Sequence, residues 1–170
     1  MHELNDGHSY CRARLNKGIP MTVQAIHAVS PAVGRIHLNQ FLMALGRAGG
    51  QDSVKAIMDI HHDPKFKTKN TDILHALVLT RCEAAIDAIM EVYNKSDDLS
   101  VGFLLSTLGA TRQPAAVAVI NRLWRERTSE KPISTSRVIF ALSDAGGPEA
   151  TKSLLELWSK HQESPTDSEW

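Results

Sequence analysis

Apolar and polar residues follow a seventeen-residue pattern that occurs four times along this chain. The copies begin at Ala44, Ala76, Thr107 and Ala141, so their first residues are 32, 31 and 34 positions apart. If each first residue is position 0, apolar residues recur at −3, −2 and +1, and again at +10, +13 and +16. Steps of three and four place residues on one helical face. Each copy therefore predicts two amphipathic helices, called here helix A and helix B.

The residues between the two apolar series predict a tight turn from helix A to helix B. Positions +5 to +7 read GGQ, RCE, RQP and GGP. Glycine is typical just after a helix and proline in the first turn of the next one, as at Pro114 and Pro148. Position +9 is always small, which lets helix B approach helix A closely. The residues at this position are Ser53, Ala85, Ala116 and Ala150.

Polar loops separate the copies, and each loop ends near a residue able to cap the next helix. Thr71, Ser100 and Thr135 are the predicted caps. A single helical hairpin cannot bury two apolar stripes, whereas several stacked hairpins can, and a period near 30 residues is typical of such stacks. The pattern predicts an all-α, right-handed α-solenoid of about four stacked hairpins.

The ends of the chain depart from the repeat. Residues 20–29 predict an N-terminal cap helix that ends at Ser30-Pro31. Residues 1–18 lack periodicity and predict an irregular arm, and residues 162–170 predict a flexible tail. The predicted solenoid domain therefore covers residues 19–161.

Composition and charge narrow the class of protein. The 170 residues are 42% hydrophobic but only 5% aromatic, which suits close packing of helices by small aliphatic side chains. The formal net charge of zero disfavours a dedicated nucleic-acid binder. The polar start MHELNDGHSY lacks the apolar segment of a secretory signal, and no apolar run predicts a membrane helix. We expect a cytoplasmic protein, with an organelle matrix as the alternative.

The aligned copies resemble the short HEAT-like repeat, the form also seen in phycobilisome lyase-type proteins. The resemblance covers roughly residues 35–160 and is carried by Ala44-Leu45-Gly46, Leu108-Gly109, Pro114 with Ala116-Val117, and Gly146 with Pro148-Glu149-Ala150. It implies a solenoid that binds other macromolecules. The Asp-Pro pair that often opens such repeats appears only at Asp63-Pro64.

Two stretches, LNQFLMALGRAG and VIFALSDAGGPEATKSLLELW, also resemble pentatricopeptide repeats. That resemblance implies an organellar RNA-binding protein within a ribonucleoprotein. Its base-reading positions would be Asn39, Thr71, Gly102 and Ser136. The pentatricopeptide family prefers a small residue at position +10, where this chain has Val54, Ile86, Val117 and Thr151.

Candidate chemistry is sparse, so the sequence predicts no enzyme, no cofactor and no metal site. It contains no G-x-S-x-G, phosphate-binding glycine loop or H-E-x-x-H motif. His61-His62-Asp63 predicts a solvated loop, since adjacent residues on irregular chain rarely converge on one ion. His8 and Cys11 lack a second ligand pair, and nothing identifies a base for Cys82.

The stronger functional pattern is a row of charged residues on helix B. Position +15 holds Asp59, Glu91, Arg122 and Glu156, and position +11 holds Lys55, Asp87, Ala118 and Lys152. Equivalent helix B positions align across the concave face of a solenoid, where partners commonly bind. The charged members predict either a solvated face with intrahelical ion pairs or a mostly acidic surface for a protein partner. RNA is the alternative partner, with Lys65, Lys67 and Lys69 as possible phosphate contacts.

Overall fold

The computed structural model describes residues 35–128 and 132–163, with side chains for residues 38–160 outside the same gap. Every regular element in these residues is an α-helix, and no strand occurs among them, which confirms the all-α prediction. The helices are α1 (Arg35–Ala48), α2 (Gly50–His62), α3 (Asn70–Leu79), α4 (Ala84–Asn94), α5 (Val101–Ala110), α6 (Pro114–Arg125), α7 (Thr135–Ala145) and α8 (Gly147–Glu163).

Odd-numbered helices are the A helices of the four copies, and even-numbered helices are the B helices. The predicted arm at 1–18, the predicted cap helix at 20–29 and residues 164–170 of the predicted tail lie outside the described residues. Helix α8 extends to Glu163 and so includes the first two residues assigned to the tail.

The helices form two compact units, and the boundary falls between Thr80 and Arg81. In the first unit α1 packs against both α2 and α3, and α2 also packs against α3. In the second unit α5 contacts α4, α6 and α7, while α8 packs against α6 and α7. Within each unit, therefore, consecutive A helices contact each other, as do A and B helices of one copy.

The core consists of the apolar positions that the repeat predicts. Position +1 is a leucine in every copy, and each of these leucines is at most 2% exposed. They are Leu45, Leu77, Leu108 and Leu142. The small residues at +9 are also buried, with Ser53 at 7% and the three alanines at no more than 1%. Close approach of helix A and helix B therefore places this position inside the structure.

The fourth copy is less buried than the others. Thr151, which continues the apolar series at +10, is exposed, whereas Val54, Ile86 and Val117 at the same position are buried. The prediction that Thr151 belongs to the core is therefore wrong. Leu154, at +13, is only half-buried, whereas Ile57, Ile89 and Ile120 are buried. Leu157, at +16, is half-buried, as Leu123 is in the third copy. The repeat pattern predicts which helical face is apolar, but a second helix must pack there before that face is buried.

One of the three predicted helix caps is confirmed. The Ser100 hydroxyl accepts a hydrogen bond from the Phe103 backbone N–H at 3.2 Å and caps α5. Thr71 and Thr135 instead lie within the first turns of α3 and α7, and Lys69 and Ser134 occupy the cap positions. Sequence patterns locate helix starts only to within a residue or two, because several neighbouring polar residues can serve as the boundary.

Consecutive A helices approach each other at a glycine. A Cβ atom on Gly46 of α1 would collide with the Ala76 carbonyl oxygen of α3. A Cβ on Gly109 of α5 would lie 2.5 Å from the Ala141 carbonyl oxygen of α7. Both glycines are at position +2, and both alanines are at position 0 of the next copy. The same backbone-to-backbone contact therefore occurs once in each unit.

This contact predicts that Gly46→Ala and Gly109→Ala each destabilise the fold by about 1–3 kcal/mol, because the helices must separate to admit a methyl group. An ordinary helical Gly→Ala change has the opposite sign, since alanine is the better helix former. Urea unfolding followed by circular dichroism measures the difference. Ser143→Ala, at the exposed +2 position of α7, is the matched control and should change stability by less than about 0.5 kcal/mol.

Candidate partner-binding surface

The charged helix B row lies on the solvent side of its helices. Lys55, Asp87, Arg122, Lys152 and Glu156 are exposed. The remaining members, Asp59 and Glu91, are half-buried. The helical period explains this distribution, because +11 and +15 lie opposite +9, +13 and +16, whose residues are buried or half-buried.

Both half-buried acids form ion pairs with a lysine four residues away. Lys55 Nζ lies 2.7 Å from Asp59 Oδ2 in α2, and Lys95 Nζ, on the residue that caps the end of α4, lies 2.7 Å from Glu91 Oε1. The Lys55 and Lys95 side chains are 74% and 62% exposed. Both are solvent-exposed ion pairs between residues four positions apart, and pairs of this kind stabilise a helix only slightly. Their geometry matches the solvated-face interpretation of the row.

Helices α6 and α8, which carry the members of the row from the third and fourth copies, pack against each other. Asn121 Nδ2 donates a 2.7 Å hydrogen bond to Ser153 Oγ, linking position +14 of the third copy to position +12 of the fourth. Arg122 and Lys152 directly adjoin these two residues in sequence. Position +14 therefore faces the following copy in this unit.

On α8, two positions that are buried or half-buried on the other B helices are exposed. Position +14 is buried or half-buried at Met58, Met90 and Asn121, but Leu155 is 63% exposed. Thr151 at +10 is exposed as well. The α8 surface, as we call it, consists of Thr151, Leu155 and Trp158, which lie within about 60° of one another around the helix.

Position +17 is aromatic in every copy, but its surroundings differ. His61, Tyr93 and Trp124 are half-buried. The Arg127 guanidinium carbon lies 3.3 Å from the centre of the Trp124 ring, a cation–π contact that covers it. Trp158 is 57% exposed. Large exposed aromatic and aliphatic side chains on adjacent helical turns are typical of protein interfaces.

The four residues assigned to RNA reading have unequal environments. Asn39 is exposed, and Thr71 and Ser136 are half-buried. Ser136 Oγ is 2.6 Å from Ser134 Oγ. Gly102 is buried, and the guanidinium of the exposed Arg137 occupies the space beside its Cα.

An open cleft of about 490 Å³ lies where α5 and α7 begin. It is lined by Ser100, Val101, Gly102, Pro132, Ile133, Ser134 and Arg137. Among the residues that the structure describes, Arg137 is the only ionisable one in the lining. The described part of the lining therefore contains no pair of groups suited to general acid–base catalysis.

The other candidate residues are scattered. The His61 and His62 ring centres are 5.4 Å apart, and Asp63 Oδ1 accepts a hydrogen bond from the Lys65 backbone N–H at 2.9 Å. Cys82 is a half-buried free thiol in the turn before α4. In residues 35–128 and 132–163, no three His, Cys, Asp or Glu side chains are grouped to hold a metal ion. His8 and Cys11 lie outside this range.

Within the same described ranges, no helix has both the length and the apolar character needed to cross a membrane. Comparison of the chain with protein-family models gives no match, and neither does comparison with curated proteins or with solved structures. The evidence for a binding surface therefore comes from this chain alone.

Sequence reasoning missed two features of the surface. Leu155 lies outside the apolar series, and its exposure depends on which helices pack against α8. Arg81 and Arg112 were also missed, although both occupy position +5 and both have a positive φ, 48° and 55°. The signal was present in the alignment, since the other two residues at +5 are Gly49 and Gly146.

The solvated geometry of the row predicts weak coupling between Lys55 and Asp59. A double-mutant cycle with Lys55→Ala and Asp59→Ala should give an interaction free energy below about 0.5 kcal/mol in thermal unfolding. Raising the salt concentration should reduce it further, because exposed charges are screened. A coupling of several kcal/mol would show that the pair is structural and contradict the solvated interpretation.

Proposed function

We propose that this chain is a non-catalytic protein-binding scaffold, an adaptor or assembly subunit, built as a right-handed, HEAT-like α-solenoid of four helical hairpins. The proposal has its main support in the exposure of Leu155 and Trp158 on α8. The repeat period and the contacts between consecutive A helices within each unit support the solenoid arrangement. We also propose a cytoplasmic location, with an organelle matrix as the alternative.

The chemistry of the partner follows from the contact that the third copy makes. There, position +14 of α6 meets the small residue Ser153 of α8. Leu155 is the +14 residue of α8 and lies about 200° around the helix from Ser153, so the face that α6 presents to α8 is exposed on α8. We therefore assign this surface to a helix of a partner protein that presents small residues to Leu155 and Trp158, as a further hairpin of the stack would.

The charged residues around the α8 surface complete the proposed interface. Lys152 and Glu156 are exposed and lie on the side of α8 next to Leu155. An apolar centre with a charged rim is the usual anatomy of a protein interface. In this arrangement the apolar side chains supply most of the affinity, and the helix B row orients the partner and accelerates association.

The first prediction from this proposal concerns the two anchors. Leu155→Asp and Trp158→Ala should each weaken partner binding about 30-fold or more, because anchors of this type contribute about 2 kcal/mol or more to binding. Both side chains are mostly exposed, so the thermal unfolding midpoint should change little. Phe140→Ala is the matched control: Phe140 is 71% exposed, and the equivalent His75 and Ser106 are exposed too.

The partner itself can be identified by site-specific photo-crosslinking in nuclease-treated lysate of the source organism. A photoreactive residue at position 155 should capture one protein through a helical segment that contains small residues, and one at position 140 should not. Capture should disappear when Trp158→Ala is combined with the probe. Equal capture from both positions would contradict the proposal, as would capture of RNA from untreated lysate in place of protein.

A further inference from the structure

The turns from helix A to helix B share one backbone requirement. Position +5 has a positive φ in all four copies: 75° at Gly49, 48° at Arg81, 55° at Arg112 and 65° at Gly146. Glycine adopts this left-handed conformation without steric cost, whereas a residue with a Cβ is strained there. The first and fourth copies contain the unstrained residue, and the second and third copies contain arginine.

The two arginines are not explained by the packing of the fold. Both are exposed, and neither guanidinium forms an ion pair within the part of the chain that the structure describes. The preceding residues, Thr80 and Thr111, are buried, and their hydroxyls donate hydrogen bonds to Leu77 O and Leu108 O at 2.7 and 2.6 Å. The threonines therefore secure the turns, and the long side chains of the arginines are left in solvent.

A hydrogen bond links the two turns. Gln113 Nε2, directly after Arg112, donates to the Arg81 backbone carbonyl at 3.0 Å. A glutamine side chain and one hydrogen bond together span about the 8–10 Å that separates packed helices. Arg81 and Arg112 therefore lie on adjacent turns at one edge of the second unit, which we call the arginine edge.

The electrostatics of this edge favour an anion. Helix α4 begins at Ala84 and helix α6 at Pro114, so both helices start next to the arginine edge. Helix N-termini carry partial positive charge, which adds to that of the guanidiniums. Helix α6 has no acidic residue in its first turn, whereas α4 has Asp87. The acid nearest in sequence to Arg81 is Glu83, which is exposed.

We propose that the arginine edge binds an acidic, extended segment of a protein partner through two carboxylates, one at each guanidinium. Arginine presents a planar fork that pairs with a carboxylate through two parallel hydrogen bonds. In an extended segment of polyproline II conformation, which rises about 3.1 Å per residue with three residues per turn, acidic residues three positions apart lie on the same side about 9 Å apart, which matches the separation of the two turns. The arginine edge shares no residue with the α8 surface. An experiment can therefore contradict this proposal without contradicting the proposed function, and the reverse.

Charge favours a protein segment over a nucleic acid as the occupant. Two guanidiniums neutralise only about two phosphates, whereas nucleic-acid affinity at physiological salt comes from many such contacts. The chain as a whole has no net positive charge to supply the others. By contrast, the guanidiniums of Arg81 and Arg112 are enough to pair with two carboxylates on a protein partner.

The test uses the full-length chain and a fluorescein-labelled twelve-residue peptide with Glu at every third position among Ser and Thr. Fluorescence anisotropy at low salt should show binding, and the same peptide with Gln in place of Glu should not bind. Arg81→Asn and Arg112→Asn should each weaken binding about tenfold, because asparagine tolerates the left-handed conformation but lacks the charge. Arg81→Lys and Arg112→Lys keep the charge but not the planar fork of the guanidinium. Their affinities for the peptide should therefore lie between those of the original chain and the Asn variants.

Two controls separate binding from folding and from overall charge. Arg125→Gln combined with Lys67→Gln removes two exposed positive charges elsewhere and should leave peptide affinity within about twofold of the original. Arg81→Gly combined with Arg112→Gly should raise the thermal unfolding midpoint by about 2–4 °C, since glycine relieves the strain, while peptide binding is lost.

Each other outcome overturns the proposal. Failure of the unmodified chain to bind the acidic peptide contradicts it, and so does retained affinity in the combined Asn variant. A lower unfolding midpoint in the combined Gly variant would show that the arginines serve the fold. A twelve-nucleotide oligouridine that binds more tightly than the peptide, through the same two arginines, would assign the edge to RNA.

Discussion

The structure depends on how closely consecutive A helices can approach. Gly46 and Gly109 have no Cβ, so α1 contacts the backbone of α3 at Ala76, and α5 contacts that of α7 at Ala141. This contact sets the separation of neighbouring A helices. At that separation the leucines at +1 are excluded from water. Burial of these leucines provides the hydrophobic free energy, and the glycines provide the geometry in which it is realised.

The second copy lacks the glycine on which this approach depends. It has Val78 at +2, and the third copy has Thr107, not alanine, at position 0. The sequence therefore contains the glycine–alanine pair between the first and second copies, and again between the third and fourth, but not between the second and third. In the structure, the boundary between the two compact units follows Thr80. Within each unit, one pair of A helices is thus packed closely through this contact.

The B helix of the fourth copy is more exposed than the other B helices because of which helices pack against it, not because its sequence pattern differs. Leu155 and Trp158 occupy positions that are buried or half-buried in the other B helices, yet both are exposed on α8. An apolar helical face gains free energy only when a second surface covers it. The same property that assembles the earlier copies therefore makes α8 a suitable surface for a helix of another protein. The arginines at +5 are a separate feature, added to turns that the backbone would form more easily with glycine.

The sequence by itself determined the helices, their order and the positions that form the core. The 3.6-residue period and the glycine and proline positions are local properties, so Leu45, Leu77, Leu108 and Leu142 could be assigned to the core without a structure. The sequence also placed the charged helix B row on the solvent side. Only the tertiary structure decided that Thr151 and Leu155 are exposed, because burial depends on neighbouring helices. The aligned +5 position already sets Arg81 and Arg112 beside two glycines, but only the backbone conformation showed that both arginines adopt the positive φ of those glycines, since φ is set by how helix A must turn to reach helix B.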